Sequence, residues 1–587
     1  MSIKVGEVIA VSGIRITLKI DEKSSRETLF LDGEKYKGVS IREYLYVQRG
    51  FRKIVCLVEG EYLDESRVET FDHKVDYVRK VDARPIGYFE NEQFKEGIKF
   101  MPMIKDEVFL LKEEKIAAIY GRDNADGFFI GKMLKEEIPI SMPWQKLFNS
   151  HIGIFGNTGS GKSNTLAKLY TVLFEKMADV LPGKSTFVFL DFNGEYTGGQ
   201  LTNDDAKQVL RLSTQEVGGD KFTLSENEFW DVETLSILFQ ATQNTQRPFL
   251  TRIVDGRRRN VNNHNAFSNY IKSTIRHTFC AASPKSETLD LVRRIASIIN
   301  DEALSEILNI TAWHNNSFVH RGQANTYLNA DGRGYAAVLA ATVDAIDVSN
   351  VDPFDQLVIR ANLQLSRDLV QGYVQFEHIQ PLLKRIEASL NNLRKVVTIG
   401  AAVVPERVLT VISLRRCNNE VKKVLPLLIA KNYYHEHRRT VQTPPNKTIH
   451  LVIDEAHNIL SQQSSREHES WKDHRLELFE EIIKEGRKFG MFITISSQRP
   501  ADISPTIVSQ LHNFFIHRLV NDRDLFLLDN TITTLDGLSK ALIPTLAKGC
   551  CVVTGTAFDL PMVLQIDPLQ TGERPDSDDV DLVALWA

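Results

Sequence analysis

The chain has 587 residues, 42% hydrophobic and 25% charged, which is ordinary globular material for several domains. Its 33 glycines and 19 prolines make up under a tenth of the total, so collagen-like and low-complexity architectures are excluded. The 71 basic and 76 acidic residues leave a formal charge of −5, which excludes a wholly basic nucleic-acid coat but permits a locally basic channel. Five scattered cysteines, with no C-x-x-C pair, fit neither a disulfide framework nor a zinc site. No apolar run approaches the length of a membrane span, and the charged N-terminus is not a signal peptide, so a cytoplasmic protein is expected.

The first 140 residues read as short strands and turns. Ile14, Ile16, Leu18 and Ile20 alternate with polar residues, the period of a half-buried strand. Further apolar runs at Tyr44–Val47, Lys53–Val58, Val75–Val78 and Glu107–Leu111 predict a small antiparallel barrel, most simply an assembly collar. From His151 the texture changes to apolar strands alternating with helices, which implies a mostly parallel sheet. The predicted strands are Ile152–Phe155, Thr186–Leu190, Leu409–Leu414, Thr448–Ile453, Met491–Ser496, Phe514–Leu519 and Cys551–Thr554. Between the second and third lies a long, chiefly helical stretch. Its clearest element, Glu377–Val396, carries Ile379, Leu382, Leu383, Ile386, Leu390 and Leu393 at helical spacing, a pattern of core packing. The expected fold class is α/β, with a P-loop core at 141–235 and 400–566. A barrel occupies 1–140, a helical insertion 236–399 and an acidic tail 567–587. The tail, Asp576-Ser-Asp-Asp-Val-Asp, reads as a solvated segment whose terminal Leu and Trp offer a docking alternative.

Gly156-Asn157-Thr158-Gly159-Ser160-Gly161-Lys162-Ser163 fits G-x-x-x-x-G-K-[ST] between a predicted strand and a predicted helix. Glycines let successive backbone N–H groups face one oxyanion, and the helix N-terminus adds its positive end. Lys162 is assigned to the β- and γ-phosphates and Ser163 to Mg²⁺, with ATP contacts running from Gly156 to Asn164. The strand before Asp454 and Glu455 ends in two carboxylates at the edge where ligands of parallel sheets bind. Asp454 is assigned to the metal through water and Glu455 to the attacking water. A second carboxylate favours hydrolysis over a nucleotide switch. Gln498, after the Met491 strand, is a candidate contact for the γ-phosphate or the lytic water, or a plain loop amide.

Arg487, at the basic end of a long helix, either complements the helix dipole or reaches a neighbouring subunit's γ-phosphate. Arg518 and Arg523 are open alternatives for that trans role. Asp191 and Glu195 flank Gly194 as secondary carboxylates or turn residues. Arg257–Arg259 and Arg438–Arg439 are either backbone contacts for DNA or solvated surface.

The ordered set of motifs resembles the HerA family, on the HerA/FtsK branch of P-loop motor proteins. The likeness runs through an Ile86-Gly87 turn and Phe94-Lys-Glu-Gly97-Ile98 in the barrel, which is similar to the HAS-barrel. It continues through His378-Ile-Gln-Pro, Asp454-Glu-Ala-His457, Glu485-Gly-Arg487-Lys-Phe-Gly490 and Ser497-Gln498-Arg499-Pro500. Phe192 and Asn193 depart from the family pattern after Asp191. The resemblance implies a RecA-like ATPase forming a homohexameric ring that translocates on or unwinds double-stranded DNA, with ATP and Mg²⁺ as cofactors. It implies Glu455 as catalytic carboxylate, Gln498 as γ-phosphate sensor and Arg487 as the preferred trans-acting finger. It also implies a separate partner, a nuclease or a sirtuin-like NAD-cleaving effector, in DNA-end processing or anti-phage defence. The competing expectation is a ring scaffold that activates an effector with ATP as a regulatory ligand. A protein remodeller of the AAA+ kind fits the Ser497-Gln-Arg-Pro run poorly.

Overall fold

A computed structural model describes residues 3–21, 28–31, 34–67, 75–120, 127–216, 218–259, 265–322, 324–401, 407–462, 469–576 and 582–586. Most of the acidic run after Asp576 lies outside these residues.

The N-terminal unit comprises β1 (Lys4–Ser12), β2 (Arg15–Ile20), β3 (Thr28–Leu31), β4 (Glu34–Lys37), β5 (Tyr44–Arg49), β6 (Arg52–Arg67), β7 (Val75–Glu90), β8 (Gln93–Glu96) and β9 (Glu107–Leu110). The order β2-β1-β9-β5-β6-β7 is closed by pairing of β2 with β7, giving a six-stranded antiparallel barrel as expected. Closure leaves those strands without free edges. Alternate side chains point inward: Ile16, Leu18 and Ile20 meet Val5, Val47, Val58 and Val108 in one core. Ile14 sits in the turn before β2 and is 57% exposed, so the alternating pattern begins one step later than predicted. Ile86 and Gly87 are not a turn. They lie inside β7, where a side chain at Gly87 would collide with the Lys95 carbonyl of β8.

The second sheet uses β10 (Phe129–Met133), β11 (Pro139–Ser141), β12 (Ile152–Phe155), β13 (Ser185–Asp191) and β14 (Lys207–Ser213) from before the insertion. The stretch between β14 and the return of the chain contributes β15 (Phe222–Ser225), β16 (Thr311–His314), β17 (Ser317–Arg321), β18 (Asn325–Leu328) and β19 (Val397–Gly400) to two small separate sheets. The chain then returns with β20 (Leu409–Arg416), β21 (Thr448–Ile453), β22 (Met491–Ser497), β23 (Asn513–Ile516), β24 (Cys550–Gly555) and β25 (Met562–Ile566). The sheet order is β11-β10-β25-β24-β23-β12-β22-β21-β13-β20-β14. Pairing is parallel from β23 to β14 and antiparallel on the other flank. β12 is therefore central, and its C-terminal end opens where neighbouring strands also end. The predicted last part of the Phe514–Leu519 strand is loop beyond Ile516.

The intervening region is helical as expected, but not wholly so. β16, β17 and β18 form an antiparallel sheet, and β15 pairs in parallel with β19. The stripe on the helix Phe376–Val396 is buried throughout. The helix Pro353–Val370 is apolar on opposite faces. Leu357, Ala361 and Leu365 join the main core, whereas Ile359 and Leu363 join a second core built around Ile275, Phe279 and Ile295. A helix buried on both sides ties the insertion to the large parallel sheet.

Lys431, only 2% exposed, ties its own helix, Asn419–Thr440, to the segment just before the insertion. Its amine lies 2.7 Å from Asp231, 3.5 Å from Glu233 and 4.0 Å from Glu228, and donates to Thr234. Burial pushes the Asp231 carboxyl up, but the Lys431 charge and hydrogen bonds outweigh it and hold the pKa below the ordinary value. Replacing Lys431 by Met leaves these carboxylates uncompensated and is expected to cost about 2–3 kcal/mol at neutral pH. Because Asp231 is depressed in the folded state, this contribution is present above the ordinary aspartate pKa and lost as pH falls through the lower folded value. Denaturant unfolding of both proteins across that acid window checks the prediction.

Candidate phosphate and catalytic site

The glycine-rich segment joins β12 to the helix Lys162–Met177 with Gly159 and Gly161 in left-handed backbone, at φ 74° and 104°. A side chain at Gly161 would also strike the backbone of Gly549, 2.9 Å from the added carbon. The loop is held from outside: Gly549 N–H donates to the Ser160 carbonyl (2.8 Å) and Asn157 N–H to the Arg518 carbonyl (2.9 Å). Beneath it, the buried His517 ring bonds the Thr165 hydroxyl at 2.9 Å. Burial pulls the His517 pKa down to about 4, which keeps the ring neutral next to the Lys162 cation.

Lys162 is 4% exposed. Its amine lies 3.3 Å from Asp454 Oδ1, 3.2 Å from Glu455 Oε1 and 3.0 Å from the Ser496 hydroxyl. Burial alone would lower the amine's pKa, but Asp454, Glu455 and Glu195 together hold it above the ordinary value. β21 and β22 deliver these groups because both end at the edge where β12 enters the loop. Glu455 has φ 48°, a left-handed conformation that is costly for a residue with a side chain. Gln498 Nε2 donates to Glu455 Oε1 at 2.6 Å, and Thr158 donates to Gln498 Oε1. His457 Nδ1 lies 3.3 Å from the other Glu455 oxygen.

The predicted set Lys162, Asp454, Glu455 and Gln498 is thus brought together, with Thr158 added from the loop. Asn164 faces another way, bonding the Asp567 carbonyl and the Leu569 N–H. Asp191 accepts the N–H groups of Gly194, Glu195 and Tyr196 and is a turn cap. Glu195 instead faces the site: burial first, and then the Asp454 charge, push its pKa up to about 7. Arg487 occupies the short turn Gly486–Phe489 before β22, at the opposite end of the sheet, and contacts His512. With seven residues in β22, it stands roughly 20 Å from its own chain's site. Arg523 lies on the exposed start of the helix Asp522–Thr531, and Arg518 has an exposed side chain beside the loop.

Arg257 is engaged by Glu226 at 2.8 Å and stacked on Trp230, so it does not act with Arg258 and Arg259 as one free basic patch. Arg438 and Arg439 pair with Glu481 and Glu436 on the surface. His517, Ser496 and Gly549 are site residues that the motif reading missed. Ser496 lay within a predicted strand, and nothing local marks the other two.

The geometry suits a polyphosphate with a divalent cation. The loop presents backbone N–H groups and a lysine, and the buried Asp454 Oδ2 has no hydrogen-bond partner. No cluster of three or more His, Cys, Asp or Glu fit to hold a metal occurs among the described residues. A cation here would draw on Ser163, water and the phosphates, as Mg²⁺ does in such loops.

Comparison with known proteins gives a match of residues 128–322 to the family described as "Helicase HerA, central domain". A DNA double-strand break repair helicase HerA from Sulfurisphaera tokodaii is 23% identical over 83% of this chain and 77% of its own length. A protein of the same name from Sulfolobus acidocaldarius is 22% identical over 90% of this chain and 88% of its own. Among solved structures, VirB4 of Thermoanaerobacter pseudethanolicus covers 77% of this chain and 99% of its own, at 12% identity and a TM-score of 0.44. No helix among the described residues is long and apolar enough to cross a membrane. Residues 128–322 thus match the HerA central domain, and the chain is similar to named HerA helicases over most of its length.

Proposed function

We propose that the chain is an ATP-hydrolysing motor that assembles as a homohexameric ring and translocates on or unwinds double-stranded DNA. The observation that supports this most is the convergence of Lys162, Asp454, Glu455 and Gln498 at one sheet edge, with Glu455 held in a strained backbone. The names of its relatives, DNA double-strand break repair helicases, supply the polymer. Bound Mg²⁺ would draw charge from the β- and γ-phosphates, with Ser163 and Asp454 holding it. Gly156 to Ser163 would cradle the phosphates, and Lys162 would exchange its carboxylate partners for phosphate oxygens. Glu455, freed from the amine but still aligned by Gln498 and His457, would accept the proton of the attacking water. Arg487 cannot reach this site in its own chain, a placement suited to acting on a neighbour's γ-phosphate. A separate nuclease or NAD-cleaving effector, in DNA-end processing or anti-phage defence, belongs to the same proposal through family resemblance alone.

On this reading, Lys162→Ala and Glu455→Gln each lower ATP turnover by about 10²-fold or more, and duplex DNA accelerates the parent only. A phosphate-release assay with and without duplex checks it. Unchanged turnover in Glu455→Gln overturns the catalytic assignment, whereas effector activation by a Glu455→Gln ring without DNA stimulation favours the scaffold. The trans role has its own signature. Mixing inactive Arg487→Ala with inactive Lys162→Ala chains restores part of the turnover, because some interfaces then combine an intact loop with an intact arginine. Native mass measurement of the same mixture establishes the ring, and no recovery in mixed rings removes Arg487 as the finger.

A further inference from the structure

The insertion contains a second charged cavity, of about 360 Å³, between the helices Gln246–Arg258, Ala266–Phe279 and Pro353–Val370. Arg252, Arg259, Arg360 and Arg367 line it, with Tyr270 and Tyr373. Two carboxylates, Asp255 and Asp368, also face it. Asp368 is already engaged, accepting from Arg252 at 3.1 and 2.7 Å and from Gln364 at 2.8 Å.

Arg360 is the unusual member. It is 8% exposed, its Nε has no hydrogen-bond partner, and no ion pair is formed by it among the described residues. The guanidinium rests 4.5 Å above the Phe267 ring. Burial, and then the neighbouring Arg257, pull its pKa down to about 10, so it remains a cation at neutral pH. A buried guanidinium whose Nε has no acceptor is costly, and a phosphate supplies charge and acceptor geometry for it. Tyr373, 70% exposed at the mouth, offers an aromatic face to a base.

We propose that this cavity is a second phosphate site, taking the phosphate of a nucleotide, either free or at the backbone of a nucleic-acid strand. The assignment does not depend on the hydrolytic reading of the first site. It is tested on the full-length chain carrying Lys162→Ala, which silences the phosphate loop, by fluorescence anisotropy with three probes. These are a short duplex with 5′-phosphates, the same duplex without them, and a labelled guanosine monophosphate. The variant Arg259→Ala/Arg367→Ala, which alters accessible side chains, is expected to lose about tenfold or more in affinity for the probe that fits. Loss on both duplexes with a shallower salt dependence identifies the strand backbone, loss confined to the phosphorylated duplex a strand end, and loss on the monophosphate a free nucleotide. Arg360→Gln gives the same loss if it folds, as judged by circular dichroism. In chains with Lys162 intact, basal ATP turnover stays as in the parent. Equal affinity of parent and double variant for every probe, or no binding by the parent, overturns the proposal. So does a change in oligomeric mass with binding unchanged, which would assign Arg360 to a carboxylate of a second copy.

Discussion

A lysine amine buried to 4% exposure, between two carboxylates, sets the terms for the rest of the site. Removing a cation from water costs several kcal/mol unless charge and hydrogen bonds replace the solvent. Here Asp454, Glu455 and Ser496 replace it. The two carboxylates follow β21 and the serine lies in β22, so the arrangement exists only when β12, β21 and β22 lie side by side in register. The arrangement therefore couples the integrity of the sheet to the charge balance of the loop. A polyphosphate would compete directly for the amine, releasing Glu455 from the partner that now occupies one of its oxygens.

The strain at Glu455 belongs to the same balance. A left-handed backbone at a residue other than Gly or Asn persists only when its surroundings over-determine it. Ala456 N–H bonding to the Ser496 carbonyl, Gln498 on one carboxylate oxygen and His457 beside the other supply that determination. The carboxylate is thus aimed by the backbone and the neighbouring strand rather than by its own flexible side chain, an economy of reorganisation that suits a group acting on one water.

What could be read from the sequence follows from what is local. The loop, the strand ending in Asp454 and the strand ending near Gln498 each carry their signal in consecutive residues. The strand order that unites them is not written in those local signals, since a parallel sheet admits many orders, and it emerges only from the pairing of the strands. The barrel was legible because alternation survives in Ile16, Leu18 and Ile20, although Ile86-Gly87 was misread as a turn since glycine there serves close strand approach, not chain reversal. The small sheet β16-β17-β18 escaped because its strands are four or five residues long amid helices, too short for a clear period. Gly549 and His517 were invisible for a different reason. Their roles are contacts with a loop more than 350 residues away, to which no local pattern points.

Gly549 also shows how the site is joined to the remainder of the molecule. Its N–H binds the Ser160 carbonyl, its own carbonyl accepts from Ile566 N–H, and the next residue, Asp567, donates to the Ile130 carbonyl. Three backbone hydrogen bonds thus run from the phosphate loop across β24 and β25 to β10, the strand that follows the barrel. Because Gly161 and Gly549 meet with no room for a side chain, the loop cannot shift toward that flank without moving it. The barrel is itself seated on the same flank: Arg84 of β7 reaches Asp536 at 3.6 Å, and Leu560, between β24 and β25, packs on the cluster of Tyr44, Tyr46 and Ile86. Close-packed glycines and main-chain hydrogen bonds yield little to compression, so the loop and the flank beneath the barrel are joined through main chain rather than through flexible side chains.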